Sequence, residues 1–376
     1  YGSSAAARAL PMARGGGGAA RPAALVVDVG THSSRIGLSG DEAPTLVIPA
    51  PPPDANDRTP EDLGAGSEAS CLTYREGGRP QWDADALEEL LRGTVVASLG
   101  ADLPVLWAEP VVQCPRARTV VAEVLFERLQ VNAAAYANSA ALNAFAFGSV
   151  DGVVVDVGAG LSSAAIVRQG HVDAEDLRCC TYAGNALDSA LLAALAKQRV
   201  ELARRPSAHE SVARYTALER ARDLKESICF CCHQPLASME PAKPYLHTLP
   251  DGHQIDVAEF SRSIPETLLV GNGAQFPGLT AFASECIAIE PTLPLFVAGG
   301  SSLFVNFNAR LRAALAPLLG CSGLPRKDAA ASNASYERRH TTWLGASILA
   351  SCGSLPCSAW ATRQQFEERG TALFER

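Results

Sequence analysis

Short, continuous apolar runs that end on glycine alternate along this chain with longer segments in which apolar residues recur at helical spacing. The first run, AALVVDVG at 23–30, has no polar position before Asp28, the pattern of a strand buried on both faces of a sheet. SRIGLSG at 34–40 and PTLVIPA at 44–50 predict the next two strands, divided by the turn GDEAP. Residues 50–80 are rich in Pro, Gly and Asp and predict a connection that is mostly loop, with one short strand at most. WDADALEELLRGTVVASLG at 82–100 predicts an amphipathic helix whose first turn suits Asp83 and Asp85. LPVLWAEP at 103–110 predicts another buried strand, followed by helices over 114–130 and 133–148, the latter ending at Gly148.

The pattern then restarts. GVVVDVGAG at 152–160 repeats the opening strand, so the pentapeptide VVDVG occurs at both 26–30 and 154–158. Strands are predicted over 162–170 and 171–180, and helices over 185–200 and 210–226. KPYLHTLPDGHQIDV at 243–257 predicts a strand pair turning on Asp251-Gly252. LPLFVAGGSS at 293–302 is a third strand-to-glycine turn, and FVNFNARLRAALAPL at 304–318 predicts the helix after it. TTWLGASILASCG and TRQQFEERG close the chain. Two similar halves, each opening strand–Asp-x-Gly–strand, predict a duplicated α/β fold with a cleft between the halves.

Composition narrows this picture. The 376 residues suffice for two or three lobes, and 47% apolar with 19% charged residues describes an ordered globular protein. A net charge of −8 excludes attraction of the whole surface to nucleic acid, so no direct nucleic-acid contact is expected. The densest basic pair, Arg204-Arg205, reads as a solvated helix end. Eleven cysteines, an odd number at irregular spacing, point to reduced thiols. CFCCH at 229–233 lacks the paired spacing that would aim two thiolates at one zinc, and its cysteines are read as small hydrophobes in a strand. The longest uncharged segment, 129–150, contains Gln130, Asn132, Asn138 and Asn143, so it is read as buried helix and no membrane contact is expected. Residues 1–22, rich in Gly, Ala and Arg, are expected to be a disordered tail; a transit peptide has a similar bias.

Asp-x-Gly at the end of a buried strand has a specific chemical use. Glycine permits the sharp turn, and backbone N–H groups after it can cradle phosphate oxygens. A carboxylate before the turn can hold a hydrated Mg²⁺ that reaches the phosphates. Two such hairpins facing one another would clamp a triphosphate tail, and the AGGSS turn at 298–302 would allow close approach of a ring or ribose.

In sequence, ALVVDVGTHSSRIGLSGDEAP, WAEP, VLFERLQV, GVVVDVGAG, RARDLKESIC, FVAGGSSLFVNFNARL and TTWLGASILAS resemble the blocks of the actin family, in the family's order. The resemblance runs from about Ala23 to the C-terminus and implies the actin-like, duplicated ribonuclease-H-like α/β fold, two lobes around a nucleotide cleft. It implies lobe I over 23–150 plus 328–376 and lobe II over 151–327. Within the family the chain resembles the nuclear actin-related proteins. HTLPDGHQIDV and WDADALEELLRGTVVASLG are similar to plant actin-related protein seven, and NASYERRHTTWLGASILAS to actin-related protein four.

The resemblance implies ATP with Mg²⁺ as cofactors. It places Asp28 and Asp156 at the magnesium-facing acids, holding the metal through water. Gly30, Thr31 and Arg35 match the first phosphate loop, with Arg35 where actins carry lysine. Gly158 and Gly160 match the second loop, Lys225 and Glu226 the ribose side, and Gly299, Gly300 and Ser301 the adenine side. Ser139 stands where actins carry the glutamine that orients the attacking water, Ser163 replaces a histidine, and Ala159 replaces an acid. Little or no hydrolysis is therefore expected, and no catalytic residue is assigned. The 50–80 and 268–294 segments are shorter than the actin regions that carry polymer contacts, so a non-filamentous protein is expected. The implied role is an architectural subunit of a SWI/SNF-type chromatin remodeller in the nucleus, with the cytoplasm left open. Its implied partners are a helical segment of the remodeller ATPase or scaffold, seated along 341–360, and another actin or actin-related protein. An ATP-hydrolysing member of the superfamily and a cytoskeletal, dynactin-type protein remain the alternatives.

Overall fold

Residues 24–50, 70–93, 103–200, 202, 210–273, 275–319, 338–353 and 355–374 are described by a computed structural model. The expected tail at 1–22, most of the Pro-rich connection and the Arg204-Arg205 pair lie outside these residues.

Strand β1 (Leu25–Val29) pairs antiparallel with β2 (Ser33–Leu38), Asp28 lying opposite Arg35, and β3 (Leu46–Pro49) pairs with the far edge of β2. A hairpin of β4 (Leu72–Tyr74) and β5 (Pro80–Trp82) follows, where one strand at most was expected. Helix α1 (Ala84–Leu91) is capped by the Asp83 carboxylate, which accepts from the Asp85 and Ala86 amides. Strand β6 (Val105–Glu109) lies parallel to β1, and α2 (Pro115–Glu123) continues into a π-helical turn at Val124–Arg128.

The segment predicted as one helix over 133–148 is instead strand β7 (Ala133–Asn138) and helix α3 (Ser139–Ala146). Alanine's helix preference is worth less than about 1 kcal/mol per residue. It yields here to a parallel ladder with β6, running from Val105 opposite Ala134 to Glu109 opposite Asn138. Asn138 ends the strand and caps the helix, its side-chain oxygen accepting from the Ala140 amide at 3.0 Å.

The second half repeats the opening hairpin as β8 (Gly152–Val157) and β9 (Ser162–Val167), with Asp156 opposite Ser163. Of the strand expected over 171–180 only β10 (Leu177–Cys180) forms. Helices α4 (Gly184–Lys197) and α5 (Glu210–Ile228) follow, then the predicted pair β11 (Leu246–Thr248) and β12 (Gln254–Asp256). Two helices without a sequence counterpart above come next, α6 (Phe260–Val270) and α7 (Leu279–Ile289). Strand β13 (Leu295–Ala298) joins β8 in parallel, and α8 (Phe307–Leu319) leaves it. Helix α9 (Thr341–Ser351) returns to the first sheet, where β14 (Ala361–Thr362) pairs with β7 ahead of α10 (Arg363–Arg369). The sheet orders are β14-β7-β6-β1-β2-β3 and β10-β9-β8-β13.

Each sheet has its own core. Around the first, Trp107 meets Trp82 edge-on at 5.4 Å and Phe126 stacks on Phe366 at 5.0 Å, tying α10 to the body of the lobe. Around the second, Leu187, Leu191, Leu268 and Leu311 close over β8 and β9. Cys229 and Cys231 are buried in that core as small hydrophobes, but they leave the end of α5 without entering a strand: only Phe230 makes an isolated bridge, to Val305. Burial pushes both thiols up to about 12. No helix among the described residues is long and apolar enough to cross a membrane.

Helix α9 packs against α3 so closely that a Cβ on Gly345 would lie 1.8 Å from the Leu142 carbonyl oxygen. Trp343 is fully buried there, and its indole N–H donates to the Val26 carbonyl at 3.3 Å. Gly345→Val is therefore expected to cost at least about 1–3 kcal/mol in urea unfolding, the range of core overpacking, while Leu349→Met on the half-buried face should cost less than about 1.5 kcal/mol.

Candidate functional site

The two Asp-x-Gly hairpins make the same turn. The Gly30 amide donates to the Ser33 carbonyl at 3.2 Å, and the Gly158 amide donates to the Leu161 carbonyl at 2.9 Å. The turns face each other closely: a Cβ on Gly160 would stand 2.5 Å from the Thr31 Oγ1. Gly299, at the end of β13, has φ +88°, and a Cβ there would fall 2.4 Å from the Asp156 carboxylate. Only glycine fits that contact without strain. Ser301 then donates its hydroxyl to the Gly158 carbonyl at 3.1 Å, and the start of α4 is bound to the same loop by the Asn185 amide, which donates to the Ala159 carbonyl at 2.8 Å. Helix α5 supplies Arg222, Lys225 and Glu226 to the wall.

Every candidate residue taken from the sequence, Asp28, Gly30, Thr31, Arg35, Asp156, Gly158, Gly160, Lys225, Glu226, Gly299, Gly300 and Ser301, lines a single cavity of about 300 Å³. That volume is at the lower end of the roughly 300–1,000 Å³ usual for small-molecule sites. Ser139, Ala159 and Ser163, the positions that depart from the actin pattern, line it too.

The electrostatics centre on the two carboxylates. Burial raises the Asp28 pKa, against the Arg35 guanidinium 3.3 Å away. Burial also pushes Asp156 up to about 6; the Asn143 amide, donating at 3.2 Å, and the Arg35 charge pull the other way, while Asp28 adds repulsion. Asn143 is fully buried and is held in turn by the Thr342 hydroxyl, which donates to its side-chain oxygen at 3.0 Å. A line of contacts thus runs from α9 through α3 to Asp156.

The wall opposite is organised by Asp188, fully buried on α4. It takes Lys225 at 2.5 Å and the Arg222 Nε at 3.2 Å. Lys225 also donates to the Gly184 carbonyl at 3.1 Å, so its ammonium is anchored in the wall. Glu226 is exposed and 3.6 Å from Arg339. Two histidines complete the set. His340 Nδ1 accepts from the Arg35 Nε at 3.1 Å, and His32 Nδ1 lies 2.8 Å from the Arg222 Nη1. Burial, reinforced by nearby cations, lowers both to about 4 and keeps both rings neutral near pH 7.

Asn143, Asp188, Arg222, His32 and His340 were not singled out from sequence as residues of the site. Asn143 and Asp188 carried a signal, a polar residue inside the apolar runs SAALNAFA and NALDSALL. His32 carried another, because the first turn reads Gly-Thr-His-Ser and the second Gly-Ala-Gly-Leu.

Paired sheets opened by one repeated hairpin, with the catalogue of cleft residues shared between them, define an actin-type protein. The actin family model matches residues 19–376, and the chain belongs to the actin family. It is 26% identical to actin-related protein 4 of Oryza sativa subsp. indica, over 94% of this chain and 98% of the relative. It is 27% identical to actin-like protein 9 of Homo sapiens, over 94% of this chain and 87% of the relative. Actin-related protein 4 of Yarrowia lipolytica is 26% identical, over 93% of this chain and 94% of its own length. The resemblance to actin-related protein four seen in the motifs thus extends along nearly the whole chain, and actin-like protein 9 adds a class that the motifs did not suggest.

The raised Asp156 pKa has a pH consequence for the ligand-free protein. Native Asp156 holds its proton up to about 6, whereas the unfolded carboxyl loses it near 3.8, so this group's stabilising contribution is full below 3.8 and lost as pH rises to about 6. Asp156→Asn is expected to melt higher than the wild type at pH 7–8 without ligand, with the difference closing as pH falls from about 6 toward 4. Thermal melts of the two proteins across that range provide the check, since His32 and His340 titrate alike in both.

Proposed function

We propose that this chain is a non-filamentous nuclear actin-related protein that acts as an architectural subunit of a SWI/SNF-type chromatin-remodelling assembly, with a cleft that accepts ATP and Mg²⁺ and hydrolyses little or none of it. The residues present suit the cofactor. Asp28 and Asp156 are half-buried, partly desolvated carboxylates whose ionised forms a divalent cation would favour. The amides of the two turns and the cations Arg35, Arg222 and Lys225 provide an anion-binding surface. Mg²⁺ bound there would neutralise charge on the phosphate oxygens.

One observation supports low hydrolysis: among the described residues, the groups lining the cleft that could align or deprotonate a water are either short or already engaged, Glu226 with Arg339. Ser139 and Ser163 offer only hydroxyls close to the backbone. The acceptor nitrogens of His32 and His340 are taken by Arg222 and Arg35, and Asp28 and Asp156 are engaged by Arg35 and Asn143. A water held about 1 Å out of place costs about a hundredfold in rate. A hydrolytic enzyme would need one of these groups free.

The nuclear, architectural part of the reading is supported by the full-length similarity to the actin-related protein 4 sequences. It also has a surface. In the 341–360 stretch, Thr341, Trp343, Gly345, Ala346 and Ser347 are buried, so that part serves the core. Leu344, Ile348 and Leu349 remain half-buried and could receive the apolar face of a partner helix.

Purified protein is expected to turn over ATP at least about a hundredfold more slowly than a filament-forming actin under the same conditions, and to stay in the supernatant under polymerising conditions. Tagged protein isolated from nuclei should bring down a remodeller ATPase or its helical scaffold. Turnover at the actin rate would overturn the first part, and recovery of dynactin-type components instead would overturn the second.

A further inference from the structure

The repeated hairpins permit an internal comparison, position by position. Thr31 aligns with Ala159, His32 with Gly160, and Ser33 with Leu161, since both turns close through the same amide-to-carbonyl bond. In the second hairpin the third turn position is bare backbone, lying against Thr31. In the first it carries an imidazole that lines the cavity.

That imidazole spans the cleft. Arg222, on the opposite lobe, is rooted there by Asp188 at 3.2 Å, by Glu219 and by the Asn185 side-chain oxygen at 3.3 Å. The same Nη1 that donates to Glu219 also reaches across the cleft to His32 Nδ1 at 2.8 Å. A guanidinium has only donors, so Nδ1 is the acceptor and the ring proton sits on Nε2. Burial above all, with the charges of Arg222, Arg35, Lys225 and Arg339 adding to it, holds the His32 ring neutral. His32 therefore presents an uncharged acceptor to Arg222 in a cleft lined also by Arg35, Lys225 and Arg339, in a protein whose net charge is −8. A site built this way attracts anions, yet its central cation is already bonded to the chain itself.

We propose that the His32 side chain is an internal competitor for phosphate. It holds Arg222 across the closed cleft, so that a polyphosphate must displace it, and it thereby sets a weak affinity for nucleotide and keeps the lobes joined when no nucleotide is bound. This rests on the reading of the cleft as a nucleotide site. It does not depend on which assembly the protein joins.

The test replaces His32 with the residue of the other hairpin. Calorimetric titration of the full chain with Mg·ATP, and separately with magnesium pyrophosphate, compares wild type, His32→Gly and His32→Asn. Pyrophosphate lacks base and ribose and so reports on the phosphate end alone. His32→Gly is expected to bind both probes at least about tenfold more tightly, the factor that freeing one charged hydrogen-bond donor is worth. His32→Asn, whose amide oxygen can accept from Arg222 near the former Nδ1 position, should remain within about threefold of wild type. A thermal melt establishes that each variant is folded, and His32→Ala takes the place of the glycine variant if that one is not. An unchanged or weaker affinity of the small-residue variant for either probe would overturn the proposal, as would an equal gain in His32→Asn. Absence of binding to every variant would also sink it, while leaving the architectural role to be decided by the partners recovered from nuclei.

Discussion

Two half-buried carboxylates, Asp28 and Asp156, stand at the ends of the central strands of two sheets; desolvation raises the cost of ionising both, and Asp28 adds repulsion to Asp156. Much of the surrounding arrangement answers that constraint. Arg35, opposite Asp28 in the antiparallel ladder, supplies the positive charge. Asn143 supplies a donor to Asp156, and Thr342 holds Asn143 in place. A buried charge without such partners would cost several kcal/mol, so helices remote in sequence are drawn to the strand ends. Helix α9 is the clearest case: it crosses back from the far end of the chain to sit on α3 through Gly345 and to hold β1 through Trp343.

The duplication provides the frame, and the differences between its copies provide the chemistry. Both hairpins turn in the same way, but Arg35 in one corresponds to Ser163 in the other, and His32 corresponds to Gly160. Charge and side-chain bulk are thus concentrated on the first hairpin, and the second offers backbone. The opposite wall balances this with its own cations, Arg222 and Lys225, both seated on Asp188. One buried acid seating two cations beside the cavity is how a cleft in an acidic protein becomes locally positive.

The chain is similar to relatives of different names over most of their length, at 26% and 27% identity. Identity at that level is compatible with a retained fold and altered sites, because cores tolerate hydrophobic exchange while a cleft does not tolerate loss of a single positioned group.

The resemblance to the actin family supplied the twelve candidate residues that line the cleft, and the sequence by itself determined the strands that end on Asp-x-Gly and the repeat that made them its two walls. These were legible because the signals are local: a continuous apolar run needs burial on both faces, and glycine marks the turn. Where local signals conflicted, only the tertiary structure decided. The alanine-rich 133–138 segment reads as helix alone, and becomes a strand because β6 offers it a parallel ladder. The partners of the site residues were equally hidden: Asn143 with Asp156, Arg222 with His32, and His340 with Arg35 are brought together from distant parts of the chain. Hydrogen bonds and ion pairs act over a few ångströms in space, and no periodicity along the chain encodes that proximity.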